Sequence, residues 1–511
     1  MTKRPAGVTS DIRTDARRDG HQRRHTYPRL PPTRSGGTGQ FSVGHAESGE
    51  VRCVKVSEGG KICILWPKPR LAIAGKPLPS SFVVPHMLRN LLFIARLTVA
   101  VLLTANLRGA EPASLAATPP TDAELAAIRT EVAAYRKKTG DQAGVPEVAD
   151  KFIPIPKNAV WLTTTEAQGA FAKMHGQLEQ VRWWKIGLDP AKLEHALREP
   201  AAILSGCVRA VRAGLDGAPR SLVYAREAGD FLVWAQEQGG TGVFPFPAAR
   251  GVTRDKAFEA GEKFLARAER AGRLADVVRN GWAVDDLADG GLQFDNGEAG
   301  VAMFELSEAT KEKKYLTSAQ RAADWAAARP IARNWNYNSF SVYLLAEAFR
   351  VTGERRYLDA AVRKTLLGVI PGQLTEGPRA GRWVDAHNAR PAYHYIMMRA
   401  LAQLASVLPH DHSARPEIMR ALTLGLKARN EEILGPGAAN KDKAMEALLI
   451  VNRLFAADAT FLRESRSAEA LDALGKLASA QFRRGAAPLG PREWGMFLEF
   501  IVWKAKASVA K

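Results

Sequence analysis

Four stretches of this chain concentrate residue types able to move protons or grip a sugar. The densest runs Arg382-Trp383-Val384-Asp385-Ala386-His387-Asn388-Ala389-Arg390-Pro391-Ala392-Tyr393-His394. Removing a proton beside a carboxylate needs a neutraliser for the enolate charge, a base, and an acid for the departing oxygen. Asn388 and Arg390 are neutraliser types, and His387, Tyr393 and His394 are proton-transfer types. Pro391 suits a first helical turn, which would set Asn388, Arg390, Tyr393 and His394 around one helix N-terminus. Residue by residue there is a plainer alternative. Tyr393 and His394 would pack into the next hairpin, and Asp385 and His387 would form a structural hydrogen-bond pair.

The second stretch, residues 281–298, holds Asp285, Asp286, Asp289, Asp295 and Glu298. Such density could bind Ca²⁺, supply a general acid and base, or cap a helix, although the spacing is not that of an EF-hand loop. Asp295 or Asn296 is expected to cap a helix starting near Gly297. Asp285 and Asp286 are assigned to function, because adjacent carboxylates cannot both be buried as anions without partners. The third stretch is Arg333-Asn334-Trp335-Asn336-Tyr337-Asn338-Ser339. Trp335 and Tyr337 could stack on sugar rings, and Asn336 could pair with hydroxyls. In the fourth, Gly239 to Gly251, Phe244 and Phe246 alternate with Pro. They offer an apolar wall or a sugar platform, with core packing expected of at least one. Its glycines lack the following Lys-Ser or Lys-Thr of a phosphate cradle. Trp383 and Asp385 complete the expected substrate-binding set.

What positions these stretches is a repeat. Residues 296–316 align without gaps on residues 338–358. Asn296, Glu305, Thr310, Tyr315, Leu316, Ala319 and Arg321 match Asn338, Glu347, Thr352, Tyr357, Leu358, Ala361 and Arg363. Leu222, Ala225, Ala228, Asp230 and Phe231 echo Leu316, Ala319, Ala322, Asp324 and Trp325. A period near 40 residues, built of two helices and a turn, means stacked helical hairpins that bury their apolar faces on one another. Spacings of three and four predict further helices at 121–138, 165–180, 191–198, 200–213 and 222–236, one long helix or a helical pair at 255–280, then helices at 391–407, 415–430, 441–456, 467–480 and 491–506.

The loops are asymmetric. Residues 237–254, 281–295, 329–338 and 371–390 precede the first helix of a hairpin and carry the unusual residues, whereas 311–314 and 353–356 are short and charged. One functional face on a scaffold has this signature. The expected fold is therefore all-α, an α/α toroid formed by a complete or incomplete ring of hairpins over residues 161–511, with an N-terminal arm at 111–160.

Upstream the composition changes. Residues 1–86 carry 15 Lys and Arg against six Asp and Glu, which is +9 of the chain's +19. They read as a disordered basic extension, and as a mis-assigned start. Met87 to Ala110 has the charged, apolar and small-residue zones of a secretory signal, with Arg96 interrupting an apolar run too short for a membrane span. The mature chain is expected to be secreted or periplasmic, without a stable membrane span, and still basic. That charge suits an anionic polysaccharide or oligosaccharide, and no nucleic-acid motif is present. Cys53 and Cys63 lie in the extension, so Cys207 is left without a partner and reads as a core residue.

Taken together, the hairpin repeats, the aromatic and Asn-rich loops and the export context resemble the six-hairpin α/α-toroid carbohydrate-active enzymes, polysaccharide lyases among them. The resemblance implies Asn388 or Asn336 with Arg390 as neutralisers, and Tyr393 or Tyr337 with His387 or His394 for proton transfer. It implies cleavage of a uronate-containing glycan by β-elimination. Two alternatives stand beside it. One is an inverting hydrolase drawing carboxylates about 6.5–9.5 Å apart from Asp285, Asp286, Asp295 and Glu298. The other is a non-catalytic glycan-binding repeat protein. These residues fix no cofactor, and Ca²⁺ is the one metal they suggest.

Overall fold

The computed structural model describes residues 50–56, 60–66, 119–139, 152–182, 197–239, 242–244, 290–332, 334–383, 391–439 and 441–509. The expected signal (87–110) and the helix expected at 255–280 lie outside the described residues, as do Phe246, Asp285, Asp286, Asp289, Asp385, His387, Asn388 and Arg390.

The chain divides into two units, residues 1–104 and 105–511. In the first, β1 (Glu50–Val56) pairs antiparallel with β2 (Gly60–Trp66), Cys53 facing Cys63. The sequence reading assigned no regular structure here. Two runs rich in β-branched residues, Val-Arg-Cys-Val-Lys-Val and Lys-Ile-Cys-Ile-Leu-Trp, lie either side of Gly59-Gly60 and carry the hairpin signal.

The second unit is helical. After α1 (Asp122–Thr139) come α2 (Thr164–Ala170), a 3-10 turn and α3 (His175–Val181). Then follow α4 (Arg198–Ala213), α5 (Ala218–Gly239), α6 (Gly290–Thr310), α7 (Lys313–Ala328), α8 (Trp335–Thr352) and α9 (Arg355–Gly368). The remainder are α10 (Pro391–Val407), α11 (Arg415–Leu434), α12 (Lys441–Leu454), α13 (Ala459–Glu464), α14 (Ser467–Arg483) and α15 (Pro491–Val509).

Contacts between helices close a ring. Helix α4 packs on α6, α6 on α8, α8 on α10, α10 on α12, α12 on α15, and α15 back on α4. Each of these six carries an outer partner: α5, α7, α9, α11, α14 and, for α15, the early helix α2. The fold is a closed α/α toroid whose last hairpin is completed by the N-terminal part of the chain. Inner helices are apolar on most sides because neighbours surround them. Helix α8, for example, buries every residue from Trp335 to Ala348.

Ring closure depends on two glycines. A Cβ on Gly206 of α4 would sit 2.1 Å from the Pro491 carbonyl oxygen, and one on Gly495 of α15 would sit 2.5 Å from that of Gly206. The arm seals the same seam. Trp161 lies 5.2 Å from the Phe497 ring, and Arg483 holds Glu166 and the carbonyls of Val160 and Trp161.

The repeat positions now have physical roles. Tyr315 donates its hydroxyl to Asp230 and Tyr357 donates to Asp324, so each outer helix is latched to its predecessor by the same pair. Asn338 accepts from Ala332 N and donates to Ala332 O and Gly368 O; Asn296 accepts from Phe244 N and donates to Ala322 O. Both amides stitch an incoming loop to the body of the hairpin. Neither Asp295 nor Asn296 is the cap the sequence suggested, because α6 begins at Gly290; α8 begins at Trp335, with Asn334 as its cap. Residues 290–295 and 335–338, expected as loop, are therefore the first turns of inner helices.

Candidate functional site

Hairpin connectivity makes the six inner helices parallel, so the ring has one end of N-termini and one of C-termini. At the N-terminal end four consecutive inner helices contribute one surface. Arg198 opens α4, and its guanidinium lies 4.4 Å above the ring of Phe294 on α6. Phe294 stacks on Phe340 of α8 at 4.2 Å. Tyr337 of α8, and Tyr393 and Ile396 of α10, join the same cluster. Arg198 is exposed, and Phe294 and Tyr393 are partly so. The outcome is a partly open aromatic floor with a cation stacked on it.

Polar groups without partners among the described residues lie beside this floor. Gln293 accepts from Ser341 through Oε1, while its Nε2 has no acceptor among the described residues, and the Nδ2 of Asn334 has none either. Asp295 is fully buried and neither carboxylate oxygen meets a donor in hydrogen-bonding geometry among the described residues. Loss of solvation pushes its carboxyl up to about 7, against which nearby Arg198 offers only partial compensation. Asp442, at the same end of α12, is pushed up to about 6 by burial and by Glu493. A carboxyl with a pKa near neutrality can give or take a proton at working pH.

Beneath this mouth the axis is closed by ions. Arg399 of α10 reaches Glu298 of α6 at 2.9 Å and Glu446 of α12 at 2.5 Å, and Arg492 of α15 also holds Glu298. These helices are not all neighbours in the ring, so the bridge crosses its axis. Glu298, expected among the hydrolytic carboxylates, is thereby occupied as a structural counter-ion.

The other expected residues divide. Tyr337 and Tyr393 are brought together. Asn336 is buried in the first turn of α8, its N–H donated to the Asn334 side chain. Trp335 points away from the cluster and packs on Gly372, where a Cβ would lie 2.3 Å from its indole nitrogen. Trp383 is fully buried with its indole N–H on Val369 O, so it holds the 369–383 loop and presents no face to a sugar. His394 is buried; Arg429 donates to its Nδ1 at 2.7 Å, which requires a lone pair there and fixes the ring in the core. Phe244 is core, tied to Asn296. Cys207 is core as expected, with burial pushing its thiol up to about 12.

Sequence reasoning missed Arg198, Gln293, Phe294, Asn334 and Asp442. Each is ordinary in its local sequence and becomes unusual only beside residues of another hairpin. Among the described residues no group of three or more His, Cys, Asp or Glu gathers in a way that would hold a metal.

No family model matches the chain, and no curated protein matches it. Among solved structures it is similar to a polysaccharide lyase, at 10% identity and a TM-score of 0.46 over 68% of this chain and 99% of that one. A glycosyl hydrolase family 88 protein from Bacteroides vulgatus shows 8% identity and a TM-score of 0.44, over 68% of this chain and 99% of that one. Cellobiose 2-epimerase from Spirochaeta thermophila shows 12% identity and a TM-score of 0.41, over 76% of this chain and 100% of that one.

Proposed function

We propose that this chain is a carbohydrate-active enzyme that cleaves a uronate-containing glycan by β-elimination at the N-terminal mouth of the toroid. The observation that carries the reading is the Arg198 guanidinium stacked on a floor of Phe294, Phe340, Tyr337 and Tyr393. An aromatic face takes the C–H side of a pyranose, and a guanidinium takes its carboxylate. Six parallel helix N-termini add positive potential at the same end, which favours an anionic substrate.

In this scheme Arg198 binds the uronate carboxylate and draws charge from the developing enolate. Tyr393, the more accessible of the two tyrosines, acts as its phenolate and takes the proton from the carbon next to that carboxylate. The electron pair forms the new double bond, the glycosidic C–O bond breaks, and the Tyr393 hydroxyl so formed returns its proton to the departing oxygen. The Asp295 carboxyl, close to neutrality in pKa, supports proton movement beneath the floor. The export reading of residues 87–110 is part of the same proposal. A mature N-terminus near Glu111, mapped by mass spectrometry of the secreted protein, checks it.

A second reading has one observation behind it. An acid pushed up to about 7 also suits protonation of a leaving group in hydrolysis. Incubation with pectate, alginate and glycosaminoglycans separates the two. Elimination gives a product with the ultraviolet absorbance of an unsaturated uronate; hydrolysis gives reducing ends without it. Tyr393→Phe should lower turnover at least about 100-fold with KM little changed, whereas Arg198→Ala should chiefly raise KM for uronate substrates. Turnover by Tyr393→Phe at the wild-type rate would defeat this assignment.

A further inference from the structure

The opposite end of the ring holds a separate chamber. A cavity of about 520 Å³ opens among the C-terminal halves of five inner helices. Arg209 and Arg212 come from α4, Glu305 and Glu308 from α6, Tyr343, Glu347 and Arg350 from α8, Gln403 from α10, and Ile450, Arg453 and Leu454 from α12. Glu305 and Glu347 are the matched glutamates of the repeat, so this chamber absorbs a sequence signal that the mouth leaves unused. The Arg399 bridge lies between the two ends: its guanidinium sits 4.4 Å from the Tyr343 ring, which faces the chamber.

The four arginines of the lining face its three glutamates and a fourth, Glu499, just behind it, and all are held in place. Arg209 bonds Glu305 and Glu499; Arg350 bonds Glu308 at 2.7 Å and Glu347 at 2.6 Å; Arg453 bonds Glu499 at 3.1 Å. Ser205 further fixes Glu305, and Gln403 fixes Glu347. No net charge remains to select an ion, and the converging helix C-termini disfavour an anion. Fixed carboxylates accept from hydroxyls, fixed guanidiniums donate to them, and Ile450 and Leu454 offer an apolar patch. Tyr343, on the wall of the same chamber, adds a hydroxyl that can both donate and accept. A compact molecule that both donates and accepts on most of its perimeter, carries no charge and has an apolar C–H face satisfies every one of these groups. The volume lies within the range of small-molecule sites.

The geometry points to a second binding site, for a neutral mono- or disaccharide, in the chamber formed by Arg209, Glu305, Tyr343, Glu347, Arg350 and Arg453. It is independent of the mouth and does not require the lyase reading.

The test is calorimetric titration of the whole chain with D-glucose, D-galactose, cellobiose and D-glucuronate, repeated on Tyr343→Phe, Glu347→Gln and Tyr393→Phe. At least one neutral sugar should bind, more tightly than glucuronate. Tyr343→Phe should weaken that binding about five- to tenfold, as expected for one lost hydrogen bond. Glu347→Gln should weaken it at least as much, and Tyr393→Phe should leave it unchanged. Absence of binding by all three neutral sugars overturns the proposal. So does tighter binding of glucuronate, or equal affinity in folded Tyr343→Phe. Loss of binding in Tyr393→Phe would assign the sugar to the mouth and likewise overturn it.

Discussion

Asp295 shows how burial converts an ordinary side chain into a reactive one. Nothing in Leu-Gln-Phe-Asp marks it as buried, and the sequence suggested chiefly a helix cap. Its carboxyl rises to about 7 because the first turns of α6 are enclosed. The sign of the consequence follows from linkage. The folded pKa lies above the unfolded value, so the unfolded chain releases its proton first as pH rises. Stability therefore falls between about pH 4 and 7, by about 4 kcal/mol at most, and levels off above that window. Asp295→Asn should remove most of this slope. Unfolding measured in denaturant at pH 5 and pH 8 should show the variant gaining on wild type more at pH 8 than at pH 5. A wild type that becomes more stable across that interval would contradict the assignment. His394 teaches the converse: it looked reactive beside Tyr393, yet Arg429 and the core hold it.

Helices meet in this molecule through small residues and repeated polar latches. The Tyr315–Asp230 and Tyr357–Asp324 bonds recur because the outer helices advance by one hairpin each time. These pairs were visible as aligned letters, although no alignment says that one residue touches the other. The seam between α4 and α15 is the element-scale weakness. Gly495→Ala should cost about 1–3 kcal/mol or more, since the obstacle is backbone and cannot rotate away. Gly176→Ala, in a helix with open space around it, should instead gain up to about 1 kcal/mol. Thermal midpoints of the two variants moving in the same direction would show that the seam is not tight.

Across the whole molecule, one buried ion network ties non-adjacent hairpins together. Arg399, Glu298, Glu446 and Arg492 are each almost fully buried, and Lys443 joins them at Glu446. Removing one partner strands the others in low dielectric. Arg399→Ala should destabilise the toroid by about 3–5 kcal/mol. The loss should be larger at pH 8 than at pH 5, because the stranded glutamates can be relieved by protonation in acid. Equal loss at both values in chemical denaturation would argue that the network is not carrying charge.

The sequence alone determined the hairpin unit, its period near 40 residues, the all-helical ring and the contrast between elaborate and plain turns. Those properties depend on local periodicity and turn chemistry, which neighbouring residues express directly. It also singled out Tyr337 and Tyr393, whose helices turn out to share one cluster. Tertiary structure decided the rest. Trp383 became a core residue, Glu298 a counter-ion, and Arg198 a partner of Phe294. The repeated Glu305 and Glu347 came to line a second chamber. Arg399 meets Glu298 across 101 residues and Ser205 meets Glu305 across 100. Such encounters are set by closure of the ring, a property of the whole chain that no local window contains.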